Sequence, residues 1–250
     1  AGIGTVGKGL LKILEVLGSN TTNIEVTAIA SRRKLNIPNK TLFRKTQVFK
    51  DAEQLLEYDN YDILVELIGG EEGVAKKIVF NALKKKKHIV TANKALISKH
   101  WKDLNKISNE MDVSINFEAA VAGGVPIIKI INEFLVSNKI RRIYGILNGT
   151  SNYILTKMLT SNNKFPEILK DAQRLGYAES DPTFDIDGID TAHKLSILCS
   201  LAFGTNCDLK YIKPEGIRNI ELSDLKYADS LGYKVKMLGI SEQIGKEIKN

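Results

Sequence analysis

The sequence predicts an α/β fold built on a doubly wound parallel sheet, and three observations carry that prediction. Short runs rich in β-branched residues alternate with amphipathic helical stretches at the spacing of βαβ units. The chain opens on a glycine turn, AGIGTVGKGL, that leads straight into a helical pattern. A length of 250 residues, with 43% hydrophobic and 26% charged, suits one large or two modest globular domains with real cores.

Gly2, Gly4 and Gly7 form a GxGxxG pattern. The predicted helix behind it runs through Leu17, with Leu10, Leu11, Leu14 and Leu17 on one side. A strand over Ile24–Ala30 then completes a βαβ unit. In that context Gly2, Ile3, Gly4, Thr5, Val6 and Gly7 read as the loop that brings backbone N–H groups against a dinucleotide pyrophosphate at a helix N-terminus. The second strand of such a unit ends in an acid when the ribose 2′-hydroxyl is read. Here it ends in Ser31, Arg32 and Arg33, and two guanidinium groups suit a 2′-phosphate. NADP(H) is therefore expected in preference to NAD(H). Almost no strand precedes the glycine turn, so the first strand is expected to lie outside this chain. The closing stretch KVKMLGISEQIGKEIKN reads as a strand running into unfinished structure.

A helix near Asp51–Glu57, a strand over Tyr61–Ile68 ending at Gly69-Gly70, and a helix over Glu71–Lys86 follow. Next come a strand over His88–Thr91, a helix opened by TANKAL and running through Glu110, and a strand over Val113–Phe117 before Glu118 and AAVAGGVP. Ligands of doubly wound sheets sit at the carboxyl ends of the strands, where Gly69, Asn93, Lys94 and Glu118 fall. A lysine opening a helix opposes the macrodipole, which marks Lys94 as functional. From Pro126 a helix (PIIKIINEFLV) leads to a strand over Ile140–Leu147 and then to NGTSNYIL entering another helix. Asn148, Gly149, Thr150, Ser151 and Asn152 have two readings, as caps of that helix or as holders of a carboxylate or amide. A helix over Phe165–Leu175 precedes an acidic segment.

That segment, Gly176–Lys194, gathers Glu179, Asp181, Asp185, Asp187 and Asp190 ahead of the uncharged run LSILCSLAF. Asp190 and Lys194 are four apart with the acid first, so they share a helix face and can pair. A lysine at the point where a helix enters apolar surroundings, with acids around it, is prepared for proton transfer. Asp187 by itself reads as a helix cap. Five carboxylates exceed what one helix start can use.

No apolar run reaches membrane-span length and no signal peptide is visible, so no membrane is expected and the cytoplasm is the default. The net charge of +7 is spread along the chain except at Lys84–Lys87, and no nucleic-acid motif accompanies it. Cys199 and Cys207 lack metal-ligand spacing and read as plain thiols.

The motifs GIGTVG, VELIGG, VTANKAL, FEAAVAGGVPII, GILNGTSNYIL and GYAESDPTFDIDGIDTAHKL, in that order and spacing, resemble homoserine dehydrogenase across essentially the whole chain. One departure is Glu179-Ser180-Asp181-Pro182, where the family usually has Glu-Pro-Asp-Pro. The resemblance implies a Rossmann-type NAD(P)-binding domain over 1–125 and a second α/β domain over 126–250. The second would hold a mixed sheet and serve the substrate and homodimerisation. It also implies reversible oxidation of L-homoserine to L-aspartate 4-semialdehyde in threonine, methionine and isoleucine biosynthesis. By resemblance, Lys194 is the proton donor and Lys94 the second lysine near nicotinamide and substrate. Glu179 and Asp190 hold the substrate with support from Asp185, and Gly149 and Thr150 line the site. Glu118 with the backbone carbonyls of Val121, Gly123 and Val125 resembles a sodium site, and a structural hydrogen-bond role for Glu118 stands beside that reading. Two other functions share the glycine signal. Another NADPH-dependent reductase of a small amino-acid aldehyde would not need the whole acidic segment, and a non-catalytic NADP(H)-binding protein would tolerate loss of Lys94 or Lys194.

Overall fold

Glycines at three of the first seven positions let the chain turn at once into a helix, and a parallel sheet is assembled around that turn. The computed structural model describes residues 1–17, 24–33, 43, 45–245 and 247–250, and the chain divides into two units, Ala1–Pro126 and Ile127–Asn250. The first unit runs α1 (Thr5–Leu17), β1 (Ala28–Ala30), β2 (Gln47–Phe49), a 3-10 turn (Ala52–Leu56), β3 (Ile63–Glu66), α2 (Val74–Lys84), β4 (His88–Thr91), α3 (Lys94–Met111) and β5 (Ile115–Asn116). β1 pairs parallel with β2, and β3, β4 and β5 pair parallel in that order.

Ala1 and Gly2 connect the two ladders. Leu67 N donates to Ala1 O at 2.9 Å, Ala1 N donates to Val65 O at 2.7 Å, and Gly2 N donates to Ala30 O at 3.2 Å. The sequence of neighbours is therefore β2, β1, Ala1–Gly2, β3, β4, β5, the strand order of a doubly wound dinucleotide-binding sheet.

The strands are shorter than the apolar runs that predict them, because side chains take backbone groups out of the ladder. Instead of Tyr61–Ile68, β3 stops at Glu66, whose carboxylate accepts from Ile68 N and Gly69 N. Instead of Ile24–Ala30, β1 begins at Ala28, since Val26 O is taken by the Thr46 hydroxyl at 2.6 Å. β5 covers two residues of the expected Val113–Phe117, and its chain turns into a 3-10 segment at Glu118–Ala120. β2 has no counterpart in the sequence reading.

α2 buries Ala75, Ile78, Val79, Ala82 and Leu83, and α3 buries Leu96, Ile97 and Leu104. With Leu64 and Ile89 from the sheet they form the core that holds the strand ends in place. Each fully buried Leu or Ile contributes about 1.5–3 kcal/mol. Asn93 caps α3 by accepting from Leu96 N at 3.1 Å.

The second unit runs α4 (Ile127–Lys129), β6 (Arg142–Gly145), α5 (Gly149–Ser161), α6 (Phe165–Arg174), α7 (Thr183–Ile186), α8 (Ile189–Phe203), α9 (Leu222–Ser230), β7 (Gly239–Ile244) and β8 (Glu247–Lys249). The helix expected from Pro126 is one α-turn running into a π-helix at Ile130–Phe134, closed by Leu135 N donating to Ile130 O. The mixed sheet expected here is antiparallel in its three described strands, in the order β6, β7, β8, and the parallel pairs belong to the first unit. One core joins Ile154, Leu155 and Met158 of α5 to Ile168 and Ala172 of α6, Ile186 and Leu225. A second gathers Ala192, Leu195 and Cys199 of α8 with Cys207 and Ile212, against Ile143 and Leu147. The two cysteines are free and buried there.

Asp187 does not cap α8. Gly188 holds that position at φ 80°, with no side-chain cap, because a separate helical turn, α7, ends immediately before it. Asp187 instead faces Arg218, accepting from both Nε and, at 3.2 Å, Nη2.

Candidate active site

In the first unit the glycine turn sorts its residues by what a side chain would meet. A Cβ on Gly2, at φ 87°, would lie 2.5 Å from the Leu67 backbone, and one on Gly7 would lie 2.2 Å from Gly2 O. A Cβ on Gly4 would meet nothing within 4 Å. The first and third glycines are thus demanded by the protein's own packing, while the second faces open space before the N-terminus of α1. That is the cradle a pyrophosphate fits: close backbone approach, and N–H groups of the first helical turn without intrahelical acceptors. Thr5 and Val6 are exposed on that turn, and Ile3 is half-buried beneath it. The Gly2 N to Ala30 O bond sets this turn against the end of β1. There Ser31 Oγ accepts from Arg33 N at 3.2 Å, folding the segment so that Arg32 and Arg33 are both exposed.

The ends of β3 and β4 are tied together. Glu66, fully buried, accepts at Oε1 from Ile68 N (2.7 Å) and Gly69 N (3.0 Å), and at Oε2 from the Thr91 hydroxyl (2.6 Å). The Thr91 oxygen in turn accepts from Asn93 N at 2.9 Å, and Asn93 Nδ2 donates to Gly70 O at 2.7 Å. Gly69 and Gly70 take φ of 87° and 85° in the turn so held. Lys94 is the first residue of α3 and half-buried. Glu118 opens the 3-10 segment after β5, half-buried, with Val121 buried and Gly123 and Val125 exposed. Between them the backbone doubles back, with Ala122 at φ 49°, Gly124 at φ 92° and Val125 N donating to Ala122 O at 2.8 Å. Among the described residues no three His, Cys, Asp or Glu side chains converge as a metal cluster.

In the second unit the acidic segment divides by task. Lys194 Nζ donates to Asp190 Oδ2 and to Leu147 O, both at 2.7 Å. The pair is largely buried, with side-chain exposures of 19% for Lys194 and 5% for Asp190. Asn148 Nδ2 donates to Asp190 Oδ2 at 2.9 Å and to Asp185 Oδ1 at 2.7 Å, while Asn148 Oδ1 caps α5 through Ser151 N at 2.8 Å. Asn148 is therefore a cap, as one reading of the loop has it, and its amide also holds two of the protein's own carboxylates. Ser151 donates to Asp185 O, and Asn152 exchanges hydrogen bonds with the backbone of Met237, fixing the start of α5 to its surroundings. Gly149 is exposed, and the Thr150 hydroxyl donates to Tyr177 O at 2.9 Å.

The other three acids are not hydrogen-bonded into this cluster among the described residues. Asp181 accepts from Thr183 N, and its bonds to the Thr183 side chain and amide hold its carboxyl below the usual range. Asp187 pairs with Arg218, and Glu179 is exposed with its carbonyl accepting from Gln173. Of the predicted residues, Asp185, Asp190 and Lys194 are thus brought together in the second unit, and Gly69 and Lys94 share one network in the first. Glu66 and Asn148 organise these groups; Asn148 carries two readings in the sequence, and Glu66 is not marked there. The signal for Glu66 is a carboxylate inside an apolar strand; for Asn148 it is the polar NGTSN loop at a helix start, which does not say which groups the amide meets.

Two family models cover nearly all of the chain: "Homoserine dehydrogenase, NAD binding domain" over residues 2–118 and "Homoserine dehydrogenase" over residues 126–249. The homoserine dehydrogenase of Pseudomonas aeruginosa is 44% identical over 248 residues, 97% of this chain and 56% of that protein. The solved putative homoserine dehydrogenase of Archaeoglobus fulgidus is 30% identical, with a TM-score of 0.86 over 99% of this chain and 80% of that one. A hyperthermophilic archaeal homoserine dehydrogenase mutant, solved in complex with NADPH, is 26% identical, with a TM-score of 0.76 over 99% of this chain and 78% of that one. The chain spans a little over half the length of the curated relatives it matches. No described helix is long and apolar enough to cross a membrane. A dinucleotide cradle in one unit, a lysine–carboxylate cluster in the other and these similarities along its whole length make the chain a member of the homoserine dehydrogenase family.

Proposed function

We propose that the protein interconverts L-homoserine and L-aspartate 4-semialdehyde with NADP(H), as a step of threonine, methionine and isoleucine biosynthesis, and that Lys194 is its general acid and base. The carrying observation is the fixed, largely buried Lys194 amine. A protonated lysine has three N–H bonds. Two are spent on Asp190 and Leu147 O, so the third is left to reach a substrate oxygen. Asp190, itself held by Asn148, is the ion-pair partner of this largely buried amine.

Bound NADPH supplies the hydride for the aldehyde carbon. The chain's part is to hold the substrate, to donate a proton from Lys194 Nζ as negative charge develops on the carbonyl oxygen, and to take it back in the oxidative direction. Glu179, Asp185 and Asp190 are assigned to the ammonium and hydroxyl ends of the substrate, Gly149 and Thr150 to the walls of the site, and Lys94 to a second cationic contact. Gly2–Gly7 and Gly69 hold the cofactor, and Arg32 and Arg33 read its 2′-phosphate, which favours NADP(H) over NAD(H). The NADPH complex of the archaeal relative supports that reading. Glu118 with the carbonyls of Val121, Gly123 and Val125 offers the hard oxygen donors a sodium ion takes.

A homodimer is supported by the outward face of the antiparallel sheet. There Tyr144 and Ile240 stand opposite each other in register, 70% and 42% exposed, with exposed Ile146 just after β6 and exposed Leu238 just before β7 on one side of them.

The test is loss of NADPH absorbance with L-aspartate 4-semialdehyde in the full-length protein, with NADH run beside it. Expected are faster decay with NADPH, and a turnover number lowered by roughly 10²–10⁴-fold in Lys194→Ala with NADPH binding kept. Near-normal turnover of that variant refutes the role of Lys194. Absence of decay despite NADPH binding moves the substrate to a different small carbonyl.

A further inference from the structure

Glu66 is a charged residue at a position where a buried parallel strand ordinarily carries Val, Ile or Leu, and its neighbours Ile63, Leu64 and Val65 follow that rule. Burying a carboxylate is costly unless it is fully hydrogen-bonded. Glu66 meets that cost with three donors, two of them main-chain N–H groups beyond the end of β3 and one the Thr91 hydroxyl opposite it in register on β4. The arrangement needs an acceptor on both oxygens and a donor on neither, which is what an ionised carboxylate is and an amide is not.

The two oxygens serve different places. Oε1 holds the Ile68–Gly69 turn, on the strand edge where such folds bind cofactor. Oε2 acts through Thr91, whose oxygen accepts from Asn93 N, on the residue that caps α3 and directly precedes Lys94. Asn93 Nδ2 to Gly70 O closes the ring. One buried charge therefore ties the glycine turn after β3 to the first turn of α3.

We propose that Glu66 is a positioning residue: through Oε1 it sets the cofactor-facing turn at Gly69, and through the Oε2–Thr91–Asn93 relay it sets Lys94. The proposal rests on the NADP(H) reading given above. It separates binding from turnover, because Thr91 touches only the second arm.

Four variants of the full-length protein test it: Glu66→Gln, Glu66→Asp, Thr91→Val and Thr91→Ser. Each is read by NADPH titration through fluorescence, by kcat with aspartate semialdehyde, and by thermal midpoint. Thr91→Val is expected to lower kcat by roughly tenfold while the NADPH Kd stays within about twofold, the loss of one hydrogen bond to a charged group. Thr91→Ser, keeping the hydroxyl, is expected to recover most of kcat. Glu66→Gln sets an amide N–H₂ against either the Thr91 hydroxyl or the main-chain donors, and is expected to raise the NADPH Kd by roughly tenfold as well as lowering kcat. Glu66→Asp, too short to span both arms, is expected to do the same.

Thermal midpoints that fall while Kd and kcat stay at wild-type values, measured well below melting, would overturn the proposal and leave Glu66 a structural residue. So would equal kcat losses in Thr91→Val and Thr91→Ser. If a Glu66 variant does not fold, the Thr91 pair still decides. If the wild type binds NADPH but reduces no aspartate semialdehyde, the substrate reading fails alone, and the Kd of the Glu66 variants still decides this one.

Discussion

The site proposed for the first unit is built from backbone, and the one proposed for the second from side chains. In the N-terminal unit the working parts are a glycine turn, two further glycines at positive φ and a buried carboxylate that fastens main-chain N–H groups. In the C-terminal unit they are an amide, two carboxylates and an amine with the Leu147 carbonyl, brought together from the loop between β6 and α5, from α7 and from α8 over sequence separations of 37, 42 and 47 residues. A backbone site fails when atoms are added to it. A side-chain site fails when one partner is removed and the rest are left buried with unmatched charge or donors. The same kind of substitution, to alanine, therefore has opposite meanings in the two places.

The glycine turn gives the largest expected effect and a control within itself. Gly7→Ala puts a Cβ 2.2 Å from Gly2 O, a backbone atom that cannot step aside. It should destabilise by at least about 1–3 kcal/mol, the range for overpacking a close contact, visible as a lower urea midpoint. Gly4→Ala adds its Cβ to open space. It should leave that midpoint within about 0.5 kcal/mol of wild type and weaken NADPH binding instead. Equal stability of the two variants would show that the turn is not held by packing, and the contrast between the units would break.

Asn148→Ala is the counterpart in the second unit. It deprives Asp185 and Asp190 of a shared donor and removes the cap on Ser151 N. Asp190 keeps Lys194, so the pair survives with its orientation loosened. Turnover should fall by roughly tenfold, about 1.4 kcal/mol in the barrier, with NADPH affinity unchanged. An unchanged kcat with only a lower thermal midpoint would reduce Asn148 to a cap.

The contrast also explains what the sequence could reveal. Backbone requirements leave glycines behind, so the spacing of Gly2, Gly4 and Gly7 could be read directly, and strands alternating with helices predicted the parallel sheet. The Asp190–Lys194 pair was legible because both residues stand on one helix at a spacing of four. Asn148 was legible as a cap or a polar holder, but nothing local says that its amide reaches two carboxylates in other segments. Glu66 was hidden because VELI reads as an ordinary strand, and the carboxylate's partners are decided by the turn it creates. The same capture of N–H groups ended β3 before the apolar run did. Asp187 was misread because a cap was assigned from residue type. The αL conformation of Gly188 and the Arg218 guanidinium lie outside what residue type can show.

The smallest expected effect falls where the first unit does use side chains. Arg32 and Arg33 stand exposed after β1, beside the glycine turn through the Gly2 N to Ala30 O bond. Exposed charges interact weakly with one another and are screened by salt, but a 2′-phosphate gives two guanidinium groups a ligand whose charge and geometry match theirs. Replacing both with Ala should raise the KM for NADPH by roughly tenfold, about 1.4 kcal/mol, and leave the KM for NADH almost unchanged. The NADPH effect should shrink as ionic strength rises, because the lost attraction is the screened part. Equal rises for the two cofactors would instead mean that the arginines support the shape of the turn. Side-chain recognition would then be confined to the second unit, and the division between the units would be sharper than proposed here.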